Sequence, residues 1–172
     1  GGGFLMFRRA GGEVLALDFR EMASLTATPT MYLDAAGNVT DASLRGPLAA
    51  GVPGSVAGLW AMHERLGKLP WRDVVAPAIR LAQGHVLDSA RARWLEGARE
   101  GLGRYPASKA IFVRSDRPWA RGDTLRQADL ARTLQLIADS GAAVFYQGQV
   151  ATRIADAMRE AGGIISREDL AA

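Results

Sequence analysis

Two apolar runs separated by a glycine-containing turn open the chain. Residues 3–7 and 14–19 are almost entirely apolar, and the turn between them includes Gly11 and Gly12. This arrangement predicts a β-hairpin over residues 1–20, because glycine supplies the backbone conformations that tight turns require. Since polar side chains do not alternate with the apolar ones, both faces of the hairpin are expected to be covered.

The pattern changes twice after the hairpin. Residues 21–52 have no regular apolar spacing and are rich in threonine, proline and glycine, so they are predicted to form a loop. From residue 53 onward the apolar positions recur every three or four residues. This spacing predicts a helical part over residues 53–172.

Several residues divide the helical part. Gly141 and the pair Gly162-Gly163 are placed to end helices. Pro77 is expected to kink or split its helix, because proline lacks the amide hydrogen that a helix interior uses. Residues 88–102 are predicted to form one charged helix, and residues 109–113 a short extended piece.

A last helix is predicted to begin at Ser166. Ser166 and Asp169 have the spacing of a capping box, and Ile165 and Leu170 occupy the positions of a hydrophobic staple. The predicted fold class is therefore α+β and mostly helical, with one hairpin and about five to six helices in a single segment over residues 1–172. Because the chain opens against a strand and ends inside a helix, we expect this segment to belong to a larger protein.

The amino-acid composition excludes several classes of site and partner. With 48% apolar and 23% charged residues the chain has globular composition, and no apolar run approaches the length of a membrane span. The absence of cysteine excludes disulfides, thiolate catalysis and cysteine-ligated zinc within the chain. Arginines alternate with acidic residues instead of clustering, and the net charge is only +3, so nucleic acid is not predicted as a partner.

The histidines and a pair of acidic residues have structural interpretations. His63 lies on the apolar stripe of its helix and is predicted to be a packed, hydrogen-bonded core histidine. His85 follows a helix end, where it can bond free carbonyl groups. Glu168 and Asp169 are predicted to be favourable charges at a helix N-terminus. None of them is predicted to be a metal ligand.

Arg20 is a stronger candidate because it lies at the end of a predicted strand. A guanidinium there can present its planar fork to a carboxylate ligand. The alternative is a structural ion pair with Asp18 or Glu21, which the residues alone leave open.

Several short strings along the chain occur together in one enzyme family. They are Gly1-Gly2-Gly3-Phe4, Leu17-Asp18-Phe19-Arg20-Glu21-Met22-Ala23, Gly51-Val52-Pro53-Gly54-Ser55-Val56-Ala57-Gly58, Pro77-Ala78-Ile79-Arg80-Leu81-Ala82, Ser108-Lys109-Ala110-Ile111-Phe112, Phe145-Tyr146, Gly162-Gly163-Ile164-Ile165 and Glu168-Asp169-Leu170-Ala171. In this order, and over essentially all 172 residues, they resemble the γ-glutamyltranspeptidases.

The resemblance implies a segment of the large subunit of an N-terminal-nucleophile hydrolase with an αββα sandwich. In the family a precursor cleaves itself into two subunits, and the new N-terminal threonine of the small subunit attacks the γ-glutamyl amide of glutathione or a relative. The γ-glutamyl group then passes to water, an amino acid or a peptide, with no metal or organic cofactor. No threonine of this chain matches that nucleophile, so the resemblance implies no catalytic residue here and an inactive isolated chain.

One substrate contact and several partners follow from the same resemblance. Arg20 would bind the α-carboxylate of the γ-glutamyl group. The partners would be that small molecule, the remaining large subunit and the small subunit, in a periplasmic or secreted protein. Ser24 stands where the family usually has proline, so the loop there is expected to be less rigid.

Without the rest of the family's sheets, residues 3–19 are expected to expose apolar surface or to self-associate. Two alternatives remain open. One is a related acylase acting on cephalosporin or glutaryl side chains or on poly-γ-glutamate, which the retention of Arg20 disfavours. The other is a non-catalytic helical interaction module.

Overall fold

The apolar runs at the start of the chain form the predicted hairpin in a computed structural model that describes residues 1–172. Strand β1 (Phe4–Arg8) pairs antiparallel with strand β2 (Val14–Asp18). Within this chain nothing covers the hairpin fully, since the side chains of Phe4 and Met6 are 69% and 76% exposed. The predicted exposure of apolar surface is confirmed. The prediction that both faces of the hairpin are covered is wrong for the 172-residue chain.

The rest of the chain is mostly helical, as predicted. In chain order the further elements are two 3-10 turns (Asp41–Ser43 and Pro47–Ala49), α1 (Ser55–Leu66), α2 (Trp71–Gln83), β3 (His85–Val86), α3 (Ser89–Gly97), α4 (Arg99–Gly103), α5 (Pro106–Phe112), β4 (Thr124–Leu125), α6 (Ala128–Ser140), α7 (Ala143–Tyr146), α8 (Gln149–Ala161) and α9 (Arg167–Ala171). None of the helices combines the length and the apolar character that crossing a membrane requires.

The chain divides into two compact units. Unit 1 consists of Gly1–Lys68 and Ser140–Ala172, and unit 2 consists of Leu69–Asp139. Unit 1 is therefore built from both ends of the chain, whereas unit 2 is one continuous stretch.

The core of unit 1 joins residues that are distant in sequence. Val52 from the long loop packs with Ala151 of α8 and with Ile165 and Leu170, which flank the start of α9. Ile165 and Leu170 are the predicted staple pair, and each is only 3% exposed. The loop and the last two helices of the chain thus share one apolar cluster.

Unit 2 has two apolar clusters. Leu87, Ala92, Leu95 and Leu125 form one of them, and strands β3 and β4 pair antiparallel beside it. In the other, residues on the buried stripe of α2 pack against Ala138 of α6.

The predicted helix ends agree with the structure where glycine sets them. Gly141 directly follows α6 with a φ of 66°, and Gly162 caps α8 with a φ of 78°. These are left-handed conformations that glycine adopts without a steric penalty.

Three local predictions differ from the structure. The α2 helix continues through Pro77, so the predicted split is wrong; buried residues lie both before and after Pro77 on one stripe. Residues 88–102 form two helices, α3 and α4, which meet at Ala98. Residues 109–113 are mostly helical, because Pro106 at the first helical position starts α5.

Candidate functional site

The backbone on either side of Arg20 is paired with other parts of unit 1. Before Arg20, the Phe19 amide donates to the Gly3 carbonyl at 2.9 Å. After it, Met22 and Val52 exchange two hydrogen bonds of 3.2 and 2.8 Å. Arg20 and Glu21 therefore form a short span between two fixed points.

Glycines bring the backbone of this span into very close packing. A Cβ atom on Gly2 would lie 2.3 Å from the carbonyl oxygen of Phe19, and one on Gly54 would lie 2.2 Å from the same atom. A Cβ atom on Gly58 would lie 2.2 Å from the Phe19 ring. Real Cβ atoms do not approach other atoms this closely, so these three positions accommodate the strand end only as glycine.

The Arg20 side chain is exposed and loosely paired. It is 60% exposed, its Nε lies 3.6 Å from Oδ1 of Asp18, and its guanidinium carbon lies 5.1 Å from the centre of the Phe4 ring. The predicted ion-pair alternative with Asp18 is therefore present, but the distance exceeds that of a hydrogen bond. The guanidinium edge retains donors that a carboxylate ligand can use.

A cavity of about 420 Å³ lies beside Arg20 within unit 1. Asp18, Arg20 and Met22 line one part of it, and Tyr146 and Asp169 line another. The cavity therefore combines an exposed cation with apolar walls and three further polar side chains, those of Asp18, Tyr146 and Asp169.

Tyr146 fixes the segment that leads into α1. Its hydroxyl donates to the Pro53 carbonyl at 2.7 Å and accepts the Ala57 amide at 3.1 Å. Burial raises the pKa of Tyr146, and the hydrogen bond from Ala57 only partly offsets that effect. Tyr146 is thus a neutral structural group at neutral pH.

Asp169 is the buried carboxylate of the site, with 3% exposure. Its Oδ1 accepts the Leu25 amide at 2.6 Å, and its Oδ2 accepts the Ser166 amide at 2.7 Å. The Ser24 hydroxyl lies 3.0 Å from Oδ2 and 3.1 Å from the Ile164 carbonyl, to either of which it can donate. Burial alone would raise the pKa of Asp169, but these hydrogen bonds outweigh it and lower the pKa.

The capping box at α9 is confirmed, because Ser166 and Asp169 bond each other's backbone amides. The sequence motif revealed this local role of Asp169. It gave no indication of the contacts with Ser24 and Leu25, which are 145 and 144 residues away. The role of Tyr146 was likewise missed, because a single tyrosine has no distinctive spacing.

The remaining candidate residues have structural surroundings. His63 is half-buried, and its ring stacks on Trp60 with the ring centres 6.4 Å apart. His85 places Nδ1 3.3 Å from the Leu81 carbonyl in the last turn of α2, as predicted. No group of three or more histidine, aspartate or glutamate side chains is arranged to hold a metal ion.

Comparison with known proteins identifies the family. Residues 1–172 match the family described as Gamma-glutamyltranspeptidase. This chain belongs to the γ-glutamyltranspeptidase family. The glutathione hydrolase proenzyme of Escherichia coli (strain K12) is 44% identical over 175 residues, which cover 100% of this chain and 30% of that protein. The chain thus spans about 30% of the length of the curated relatives it matches.

Solved structures support the same fold. The γ-glutamyltranspeptidase of Helicobacter pylori superimposes with a TM-score of 0.95 at 46% identity, over 100% of this chain and 50% of that one. A cephalosporin acylase from Bacillus halodurans superimposes with a TM-score of 0.83 at 24% identity, over 98% of this chain and 32% of that one. The second likeness concerns the fold alone. This chain therefore has the fold of part of an N-terminal-nucleophile hydrolase.

Proposed function

We propose that this chain provides the substrate carboxylate site of an enzyme that cleaves γ-glutamyl amides such as that of glutathione. The observation behind the proposal is the exposed Arg20 guanidinium beside a cavity, on a backbone that is paired on both sides. In the proposed complex the planar fork of Arg20 binds the α-carboxylate of the γ-glutamyl group through two parallel hydrogen bonds. The bound carboxylate would replace the distant Asp18 as the main partner of Arg20.

The nucleophile in this proposal comes from polypeptide outside residues 1–172. A threonine hydroxyl there attacks the γ-carbonyl carbon, the amide C–N bond breaks, and the amine leaves with a proton. The resulting ester is then attacked by water, an amino acid or a peptide, which restores the threonine hydroxyl. Arg20 holds the far end of the acyl group in both steps, so its contribution is to orient the substrate.

The partners and the location belong to the same proposal. The chain would act together with the rest of a large subunit and with a small subunit formed by self-cleavage, in a periplasmic or secreted protein, and would be inactive alone. The name of the Escherichia coli relative, a proenzyme, supports the processing step.

The test compares two substrates in the full-length protein. One is a γ-glutamyl anilide, and the other is a 4-aminobutyryl anilide, which lacks the α-carboxylate. Arg20→Lys should lower kcat/KM for the γ-glutamyl donor about a hundredfold, because a point charge cannot replace the fork. It should leave the carboxylate-free donor unchanged.

The control is Arg153→Lys, an exposed arginine on α8 of the same unit. The N-termini of the mature chains should also be determined. A downstream chain that begins with threonine supports the proposal. A full-length product that never cleaves itself and has no activity on either donor would refute it in favour of a non-catalytic module.

A further inference from the structure

We infer that Asp169 is a positioning residue for Arg20, acting through the segment that follows it. Arg20 binds its ligand with a side chain that is 60% exposed and has no close hydrogen-bonded neighbour to fix it. The orientation of its fork therefore depends on where the backbone of residues 19–25 lies. Asp169 is the group that fixes the far end of that segment.

Asp169 is a strong anchor for residues 24 and 25. The Asp169 carboxylate accepts the Leu25 amide at 2.6 Å and the Ser166 amide at 2.7 Å, and the Ser24 hydroxyl lies 3.0 Å away. Hydrogen bonds to a charged acceptor are about twice as strong as those between neutral groups. With Asp169 and Ser24 only 3% and 8% exposed, water does not compete well for these contacts.

A second link joins helix α9 to the segment after Arg20 through Leu170 and Val52. Leu170, the next residue after Asp169, packs in one cluster with Val52. Val52 in turn exchanges two backbone hydrogen bonds with Met22. Helix α9 is therefore linked to the segment after Arg20 in two ways. Asp169 bonds the Ser24 hydroxyl and the Leu25 amide directly, and Leu170 reaches Met22 indirectly through Val52.

The proposed contact between the Arg20 fork and the ligand carboxylate is sensitive to small displacements. A bidentate contact requires both nitrogens of the fork to meet both oxygens of the ligand, and a displacement of about 1 Å can cost a large part of the rate. The Ser24 hydroxyl also lies 3.1 Å from the Ile164 carbonyl, but its 3.0 Å contact with Asp169 is the one that depends on a carboxylate acceptor. Loss of the carboxylate should thus loosen Arg20 without touching the substrate directly.

The inference rests on the proposed function, and its test uses the same pair of anilide donors in the full-length protein. Asp169→Asn offers an amide hydrogen where the carboxylate accepted one, so it opposes a donor with a donor. We expect KM for the γ-glutamyl donor to rise about tenfold with kcat within about threefold. The carboxylate-free donor should show no change, since it does not use Arg20.

Two further variants separate positioning from general loss of structure. Ser166→Ala removes the hydroxyl that caps α9 but leaves the Asp169 contacts with Ser24 and Leu25, so its KM for the γ-glutamyl donor should match that of the unmodified protein. Ser24→Ala removes one contact of the anchor and should raise that KM about threefold. If Asp169→Asn does not yield folded protein, the pair Ser24→Ala and Ser166→Ala decides the question.

The outcomes distinguish the two proposals. If Arg20→Lys lowers γ-glutamyl turnover while Asp169→Asn and Ser24→Ala leave its KM unchanged, the proposed function stands and the positioning role is refuted. Equal losses on both donors in Asp169→Asn would also refute it, because they indicate a structural effect. If Arg20→Lys has no effect on either donor, the proposed function fails first.

Discussion

Arg20 of unit 1 differs from Arg114 and Arg117 of unit 2 in how far carboxylates of the chain itself occupy its guanidinium. In unit 2, Arg117 binds both oxygens of Asp123 at 2.7 and 2.5 Å, and Arg114 binds both oxygens of Asp116 at 3.1 and 2.8 Å. In unit 1, Arg20 has a carboxylate only at 3.6 Å. An arginine whose fork is filled by the chain stabilises a loop, whereas one whose fork is unfilled can bind a ligand.

The units also differ in how far along the chain their contacts reach. The Arg114 and Arg117 pairs of unit 2 join residues no more than nine apart in sequence. The contacts that surround Arg20 join residues from both ends of the chain. The proposed carboxylate site therefore lies in the unit whose structure depends on contacts between distant residues.

The largest effect is expected at Gly54, which lies against the strand end that carries Arg20. In Gly54→Ala the new Cβ would meet the carbonyl oxygens of Phe19 and Arg20 at 2.2 and 2.9 Å, and backbone atoms cannot rotate away. We expect the variant to destabilise the chain by about 3 kcal/mol, the upper range for overpacking, as measured by urea unfolding. Gly11→Ala, with nothing near its Cβ, is the control. Equal unfolding midpoints for both variants would contradict the close packing.

The stability of unit 2 should decrease in acid, because Asp123 is then protonated. The side-chain hydrogen bond from Arg117, followed by the Ala120 amide, holds the pKa of Asp123 well below its usual range. The folded-state pKa is lowered, so the stability that Asp123 contributes is present above about pH 4 and is lost as the pH falls through the folded-state value.

Thermal melting between about pH 2 and pH 7 tests this. Asp123→Asn should melt lower than the unmodified chain at pH 7 and should show a flatter decline below about pH 4. Asp129→Asn is the control, because its pair with Arg132 is exposed and should contribute little. Parallel pH profiles for Asp123→Asn and the unmodified chain would refute the assignment.

The hairpin of unit 1 exposes apolar side chains, among them Met6 at 76%. We expect the 172-residue chain to self-associate through this hairpin, and Met6→Lys to weaken the association about tenfold by placing a charge on the apolar face. Sedimentation velocity over a concentration series measures this. Leu44→Lys, at an equally exposed apolar side chain in the loop, should leave the association unchanged. The opposite ranking would exclude the hairpin as the contact.

The smallest effect is expected at a glycine of unit 2. Gly101 lies inside α4, and a Cβ there would meet nothing within 4 Å. Gly101→Ala should therefore stabilise the chain by about 0.5–1 kcal/mol, by limiting the unfolded chain and favouring the helix. A loss of stability in urea unfolding would show that the space around α4 is not open.

What the sequence could predict is local. The left-handed glycines that end α6 and α8, the capping box of α9 and the hairpin turn all depend on residues within a few positions of each other. The error at residues 109–113 has the opposite origin. Ile111 and Phe112 pack against the cluster around Leu87, and this tertiary contact accompanies a helix that the local apolar run did not indicate.

The candidate site was predictable only in part. Arg20 could be identified as a candidate from its position after a strand and from the family resemblance, and its role remains a prediction. Asp169 could not be associated with it, because the hydrogen bond to Leu25 spans 144 residues and no periodicity reports such a distance. The close approach of Gly54 to Phe19 has the same character, since a glycine in a loop indicates a turn as readily as a contact.

Unit 1 is built from two separate stretches of the chain, and this has a consequence during synthesis. Leu25 leaves the ribosome 144 residues before Asp169 does, which corresponds to about 7 to 30 s at ordinary rates of synthesis. Unit 2 is complete before the second part of unit 1 has been made. The segment that carries Arg20 is therefore synthesised well before Asp169, which holds its far end, and the apolar hairpin is exposed during this interval. A nascent chain would most need a chaperone at that time.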